Sequence, residues 1–294
     1  MTVTIKIMTQ FVWQPIRYPL LFSTLLIGCS FFSSNVLAKE VVNNSLDYSS
    51  SNNLLLQQYK DNYVLPFYYT QKPNYQEYQS IIPEDGKLSK YNVNFQISLK
   101  YRLASGVLNR NDKLYVTYTQ RSNWQAYASS AYFRDTEYEP SIFWTLPEKA
   151  ENNALGYAGT TVGLVHESNG RGGEQERSWN RAFADFTFEH NNYTLSIKPW
   201  LRLDFGAKDY NKDITNYMGY GRISMNWAVD NNNLISLTVR NALESGFSRG
   251  YERITWSFPI YKRLRGYMML ESGYGISISD YNHYDNAGGI GFSF

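Results

Sequence analysis

The stretch Val93-Asn-Phe-Gln-Ile-Ser-Leu-Lys-Tyr-Arg-Leu103 alternates without a break. Val93, Phe95, Ile97, Leu99, Tyr101 and Leu103 share one parity, and Asn94, Gln96, Ser98, Lys100 and Arg102 the other. Successive side chains of an extended strand point to opposite faces, so this segment has one apolar face and one polar face. The period recurs. Tyr193, Leu195, Ile197, Leu201 and Leu203 oppose Thr194, Ser196, Lys198 and Arg202, and Ile223, Met225, Trp227 and Val229 oppose Arg222, Ser224 and Asn226. Ile235, Leu237 and Val239 oppose Ser236, Thr238 and Arg240, and Ile254, Trp256, Phe258 and Ile260 continue the series. A period of two with charged residues on one parity predicts strands around a wet or polar-packed interior.

A soluble sandwich hides its apolar parity in a core. A barrel in lipid turns that parity outward and pairs every edge, because unpaired backbone is costly in hydrocarbon. Composition favours the barrel: 17% of the 294 residues are aromatic, with 26 Tyr, 16 Phe and 7 Trp. No apolar run after the amino terminus approaches the roughly 18 residues of a helical span. The segments 60–70, 91–104, 112–121, 140–147, 157–168, 179–190, 192–204, 217–229, 233–243, 250–260, 265–278 and 286–294 predict twelve strands. An even number suits a closed bacterial barrel. Tight connections rich in Asn and Asp, such as His190-Asn191-Asn192 and Asp230-Asn231-Asn232-Asn233, alternate with longer ones such as 205–216. The fold class expected is therefore all-β, a twelve-stranded antiparallel transmembrane β-barrel of the bacterial outer membrane. The chain closes on Ile290, Phe292 and Phe294, an alternating aromatic end of the kind barrel-assembly machinery is understood to recognise.

Residues 1–38 carry Lys6 and Arg17, no acid, and an apolar stretch from Leu20 to Ile27 before Val36-Leu37-Ala38. This predicts a signal peptide cleaved after Ala38, with Met8 a second candidate start. Cys29, the single cysteine, is either an ordinary leader residue or a lipoprotein processing site. Residues 39–58 read as a flexible tail and 59–294 as the barrel domain. Removing the leader's two basic residues takes the formal charge from +2 to 0, which leaves no field to attract nucleic acid.

Chemistry concentrates in Val162-Gly-Leu-Val-His166-Glu-Ser168-Asn-Gly-Arg171 and Arg177-Ser-Trp-Asn180-Arg181. His166 and Ser168 share the parity of Val162 and Leu164, and Asn180 shares that of Ala182, Ala184 and Phe186. All three therefore point to the apolar side. Paired as a hairpin, they supply a nucleophile, a base and an orienting group on one face. His190 and His283 sit in turn-like contexts and read as surface residues. Glu139 and Arg134 read as polar packing inside the barrel, and Gly172-Gly173 as a loop without a nucleotide site.

These two segments, with Tyr118-Thr-Gln120, Phe133-Arg-Asp-Thr-Glu-Tyr138-Glu-Pro140, Lys198-Pro-Trp200 and Asp213-Ile-Thr-Asn-Tyr217, occur in an order and spacing that resemble the outer membrane phospholipase A family. The resemblance runs from about residue 91 to 294. It implies a twelve-stranded barrel with its catalytic residues on the outer surface, level with the outer leaflet. It implies Ser168 as nucleophile, His166 as base and Asn180 as orienter, acting on glycerophospholipid esters with phospholipase A1, A2 and lysophospholipase activity. It further implies one Ca²⁺ per active site, shared across a homodimer. Arg171 would give its backbone carbonyl, Ser130 its hydroxyl from the partner subunit, and Gln120 would lie at the dimer interface. The family's second serine ligand falls at Glu176, a departure, and its acidic ligand falls at Tyr210 with Asp209 beside it. A lipid A deacylase also uses a His-x-Ser pair on a barrel exterior, but is expected to be smaller with an acidic orienter. A porin or adhesin would need a wide lumen or long external loops, whereas Arg, Lys and Glu on the inner parity predict a filled one.

Overall fold

The computed structural model describes residues 56–84, 86–108, 111–149, 153–206 and 208–294, all within one compact unit, Ser34–Phe294. The expected leader and most of the expected tail lie outside the described residues. The strands are β1 (Leu56–Gln58), β2 (Tyr63–Thr70), β3 (Tyr91–Ser105), β4 (Lys113–Trp124), β5 (Phe133–Pro147), β6 (Tyr157–Ser168) and β7 (Ser178–His190). They continue as β8 (Tyr193–Leu203), β9 (Gly221–Ala228), β10 (Leu234–Arg240), β11 (Tyr251–Tyr261), β12 (Leu264–Tyr274) and β13 (Tyr284–Ser293). Two short helices, α1 (Tyr75–Tyr78) and α2 (Ile214–Met218), lie in connections.

Strands β2 to β13 pair antiparallel with their sequence neighbours, and β13 pairs back onto β2, so the ring of twelve closes. Strand β1 pairs with β3 at Leu56↔Tyr101, beyond the end of β2, and so lengthens the first position of the ring. Leu56–Gln58, expected in the tail, therefore belongs to the sheet.

Burial is inverted relative to a soluble protein. In β3 the polar residues Asn92, Asn94, Gln96, Ser98 and Lys100 are buried, while Ile97, Leu99, Tyr101 and Leu103 are exposed. Leu164, Ile254, Leu270 and Ile290 show the same outward placement on other strands. An apolar exterior around a polar interior is the arrangement that lipid requires.

The lumen is filled. The fully buried Glu271 carboxylate accepts hydrogen bonds from Tyr68 Oη at 2.8 Å, Tyr251 Oη at 2.6 Å and both terminal nitrogens of Arg121. Lys60 is ion-paired with Glu139 at 2.8 Å. An aromatic cluster including Tyr115, Phe143, Trp179, Phe183 and Trp200 packs beside these polar groups. Such an interior is a core, as the inward charges suggested, and not a pore.

One end of the barrel carries the shorter connections on the whole, from the two-residue turn Asn191–Asn192, with Asn191 at φ 53°, up to 148–156. The other end carries 71–90, 125–132, 169–177, 204–220, 241–250 and 275–283, the longest among them. Short periplasmic turns and longer external loops are the rule for such barrels, so the long connections mark the extracellular side.

Three boundaries differ from the sequence reading by four residues or more. β5 begins at Phe133, seven residues earlier than expected, because Arg134, Asp135 and Glu137 face the polar interior. Residues 214–218 turn into α2 before Gly219, at φ 70°, releases the chain into β9. β12 stops at Tyr274 because Gly273 and Gly275, at φ 120° and 67°, break the strand, and Ile276 and Ile278 then pack into the mouth.

Candidate active site

His166 and Ser168 end β6, and Ser178 and Asn180 begin β7, at the extracellular rim. In the β6–β7 ladder His166 lies directly opposite Asn180, and Ser168 opposite Ser178. Directly opposed residues have their Cβ atoms within about 4.5–5.5 Å, close enough for side chains to meet. His166 Nδ1 and Asn180 Oδ1 are 2.9 Å apart. An amide oxygen can only accept, so Nδ1 carries the proton in this contact, which in the neutral ring leaves Nε2 as the acceptor. Ser168 lies two residues along the same face, and its hydroxyl makes no hydrogen bond among the described residues.

The inward residues of the same strands keep these side chains outward. Glu167 accepts from Trp179 Nε1 at 3.0 Å and from the Arg181 guanidinium. That guanidinium sits 4.0 Å from the centre of the Trp179 ring and 5.3 Å from that of Trp200. Trp179 is 2% exposed. Rotating β6 or β7 by one residue would expel Glu167, Trp179 and Arg181 into lipid, so interior packing fixes the exterior register.

The β6–β7 loop is built around Asn169. Its amide donates to Gln175 O at 2.8 Å and Ser279 Oγ at 3.1 Å, and its Oδ1 accepts from the Arg171 and Arg177 amides at 3.2 and 3.1 Å. Gly170, at φ 66°, passes so close to the Tyr138 ring that a Cβ would sit 2.6 Å from it, so no larger residue fits. Asn169, Ser178, Asn211 and Tyr138 all build the site but carry no reactive signal in the sequence. The Asn-Gly pair after Ser168 was the available clue.

The proposed metal residues divide. Glu176 Oε1 accepts from Ser178 Oγ at 3.1 Å, which brings its carboxylate beside the residue opposite Ser168. The Arg171 carbonyl receives no hydrogen bond among the described residues. Asp209 lies in the β8–β9 connection and is committed to Arg202 at 2.7 Å and to the Asn211 amide at 3.0 Å. Asn211 in turn bonds the Ser178 backbone on both sides, at 3.1 and 3.0 Å, which ties that connection to the start of β7. Ser130 is exposed in the β4–β5 connection at the same end of the barrel. Among the described residues no three His, Cys, Asp or Glu side chains converge as a metal cluster. A site made of Glu176, a backbone carbonyl and hydroxyls is nonetheless an all-oxygen set, which suits a hard divalent cation.

Gln120 faces outward on β4, with its Oε1 accepting from Tyr118 Oη at 3.0 Å and its amide donating to Ser122 Oγ at 3.2 Å. Register places Gln120, Tyr138, Ser168 and Ser178 in one row across β4 to β7. The polar row is set in a wall of exposed Ile97, Leu99, Val116, Tyr118 and Leu164. His190 lies at the opposite end of β7, and His283 contacts the Lys72 carbonyl in a surface loop; neither approaches the triad.

Comparison with known proteins follows the same outline. The family model described as phospholipase A1 matches residues 39–294. A relative from Neisseria meningitidis is 33% identical over 246 residues, 79% of this chain, and the match spans 63% of the relative's length. The phospholipase A1 of Klebsiella pneumoniae is 34% identical over 242 residues, 82% of each chain. Among solved structures, outer membrane phospholipase A of Escherichia coli superposes with a TM-score of 0.76 at 30% identity, over 88% of this chain and 98% of that one. The same figures hold for a Salmonella typhi outer membrane phospholipase solved as a dimer with bound calcium.

Proposed function

Because the chain belongs to the phospholipase A1 family, carboxylic ester hydrolases of the bacterial outer membrane, we propose that it hydrolyses acyl esters of glycerophospholipids with Ser168, His166 and Asn180. The observation that carries this reading is the 2.9 Å contact between His166 Nδ1 and Asn180 Oδ1 on the lipid-facing side, with Ser168 on the same face.

The chemistry runs from this geometry. His166 Nε2 takes the Ser168 proton as Oγ bonds to the ester carbonyl carbon. On collapse of the tetrahedral adduct the C–O bond to the glycerol oxygen breaks, and His166 returns the proton to that oxygen. The acyl group then sits on Ser168. A water molecule, deprotonated by His166, attacks it, and the serine leaves with the proton. Asn180 holds one tautomer throughout and hydrogen-bonds the imidazolium as it forms. A neutral amide does so without the cost of desolvating a carboxylate against lipid. The site lies on an open wall, which supports reaction at either acyl ester, and with lysophospholipids.

Calcium is the cation this reading assigns, held by the Arg171 carbonyl, Glu176 and Ser130 of the partner subunit. Asp209 is the outlying member, since Arg202 already holds its carboxylate. Bound there, the ion supplies the positive charge that a developing oxyanion needs. Glu176 adds a full negative charge where a serine would give a dipole, which favours tighter cation binding. A twofold dimer through the β3–β6 face would meet its copy at Gln120, whose amide gains a partner that lipid cannot offer. Dimerisation is then the activating step, because one protomer lacks the hydroxyl of its partner.

The test is fatty-acid release from phospholipid by the full chain purified from outer membranes, with Ca²⁺ or EDTA, beside Ser168→Ala. Release that needs both Ca²⁺ and Ser168 supports the reading. Release that survives Ser168→Ala refutes the assigned nucleophile, and release indifferent to EDTA refutes the metal.

A further inference from the structure

The connection between β2 and β3 does not stay over its own strands. It crosses the extracellular mouth, past β4 and β5, and lies against the β6–β7 loop. Glu77 of α1 is ion-paired with Arg177 at 2.9 Å, with the two side chains 12% and 15% exposed. The Ser80 hydroxyl accepts from the Gln175 amide. Tyr78 is wholly buried. The Arg171 and Arg134 guanidinium carbons each lie 5.3 Å from the centre of its ring, and its hydroxyl donates to Asp280 Oδ2 at 2.7 Å.

The gripped residues are Arg171, Gln175 and Arg177. They bracket Glu176 and include the residue whose carbonyl is assigned to the cation. The loop between them holds Gly172 and Gly173, both with open space around them and Gly173 at φ 65°. Two exposed glycines give this stretch the freedom to wander unless its flanks are held. The Asn169 bonds, one of them to Ser279 of the β12–β13 connection, hold the root of the loop, the Arg134 carbonyl accepts from the Arg171 side chain, and the α1 segment holds Gln175 and Arg177 at its far end.

We propose that Glu77 and Tyr78 are positioning residues, which hold the β6–β7 loop so that Arg171 and Glu176 stay set for cation binding beside Ser168. The inference rests on the reading of that loop as the metal-holding one. Neither residue touches the reacting atoms. Their effect is on cation affinity, not on the chemical step.

A nitroxide at Gly172→Cys, in the full chain with Cys29→Ser, reads the loop directly, since a side chain at 172 meets nothing within 4 Å. Glu77→Gln and Tyr78→Ala should each mobilise the label. They should raise the Ca²⁺ concentration for half-maximal hydrolysis on the order of 10- to 100-fold, the usual effect of losing a group that orients a metal ligand. The kcat at saturating Ca²⁺ should hold. The exchange Glu77→Arg with Arg177→Glu should restore both readings, which separates a lost ion pair from a damaged fold. A label equally immobile in parent and variants, or a Ca²⁺ response unchanged, overturns the proposal. Absence of hydrolysis in the parent would instead remove the phospholipase reading, and the label would still report whether α1 holds the loop.

Discussion

Replacing Asn180 by Ala tests the site at its most informative contact. The substitution removes the acceptor 2.9 Å from His166 Nδ1 and little else, because the side chain lies on the outer face and the interior anchors Glu167, Trp179 and Arg181 are untouched. Two effects add. The imidazole loses the partner that keeps its proton on Nδ1, so part of the population presents a protonated Nε2 that cannot accept from Ser168. The imidazolium of the transition state loses a hydrogen bond, and bonds to charged groups contribute about 1.5–3 kcal/mol. At about 1.4 kcal/mol per factor of ten, kcat/KM should fall on the order of 10- to 100-fold. Ser168→Ala, which removes the nucleophile, should lose at least about a thousandfold. Asn180→Asp keeps an acceptor at the same place and should retain more activity than Ala. The assay is fatty-acid release at saturating Ca²⁺ from protein whose fold is checked by its heat-modifiable gel mobility. An Asn180→Ala chain within about twofold of the parent, with Ser168→Ala dead, would refute the orienting role.

Other outcomes follow from the barrel itself. Glu271→Ala strips the partner from buried Arg121 and should destabilise the fold by about 3–5 kcal/mol in denaturant titration, while an apolar replacement of both should cost less. Ile254 faces lipid in a row with Leu237 and Leu270, so Ile254→Arg should destabilise by about 2–4 kcal/mol in the same assay. Asp230, in the turn before β10, has its pKa lowered chiefly by the Asn232 amide, with the Asn233 amide and side chain adding to it. A depressed folded pKa gives stability above the unfolded value that is lost as pH falls through the folded one. The stability difference between the parent and Asp230→Ala should therefore shrink on acidification, and a difference constant with pH would contradict it.

The strands were legible wherever lipid and lumen demanded opposite chemistry on alternate residues, as in 93–103 and 193–203. Residues 133–139 were not read as strand, although Arg134 and Glu139 were placed inside the barrel, because Asp135 and Glu137 look like a loop until their partners appear far along the chain: Asp135 bonds Ser279, and Glu137 the Ile278 amide. The same blindness hid α1, whose Tyr78 is buried by groups from β5 and two other connections. Parity alone set His166, Ser168 and Asn180 on one face. The register that makes His166 and Asn180 direct neighbours came from the inward packing of Trp179 and Arg181, which no local pattern encodes. Glu176 could be singled out as a departure from the family, but its bond to Ser178 required the folded loop.

With Ser168 as the proposed nucleophile on the outer wall, around a lumen packed solid, the site has neither entrance nor exit. Its supply is a two-dimensional fluid. What governs encounter is the fraction of neighbouring lipids that carry a cleavable ester, not a molar concentration in water. An inert amphiphile mixed into the same leaflet should therefore slow turnover in proportion to the surface it occupies, even with the total amount of substrate held constant. On the proposed reaction, the products, a fatty acid and a lysolipid, are released into that same plane and dilute the substrate they came from, so the patch of membrane around each barrel carries a record of its own activity.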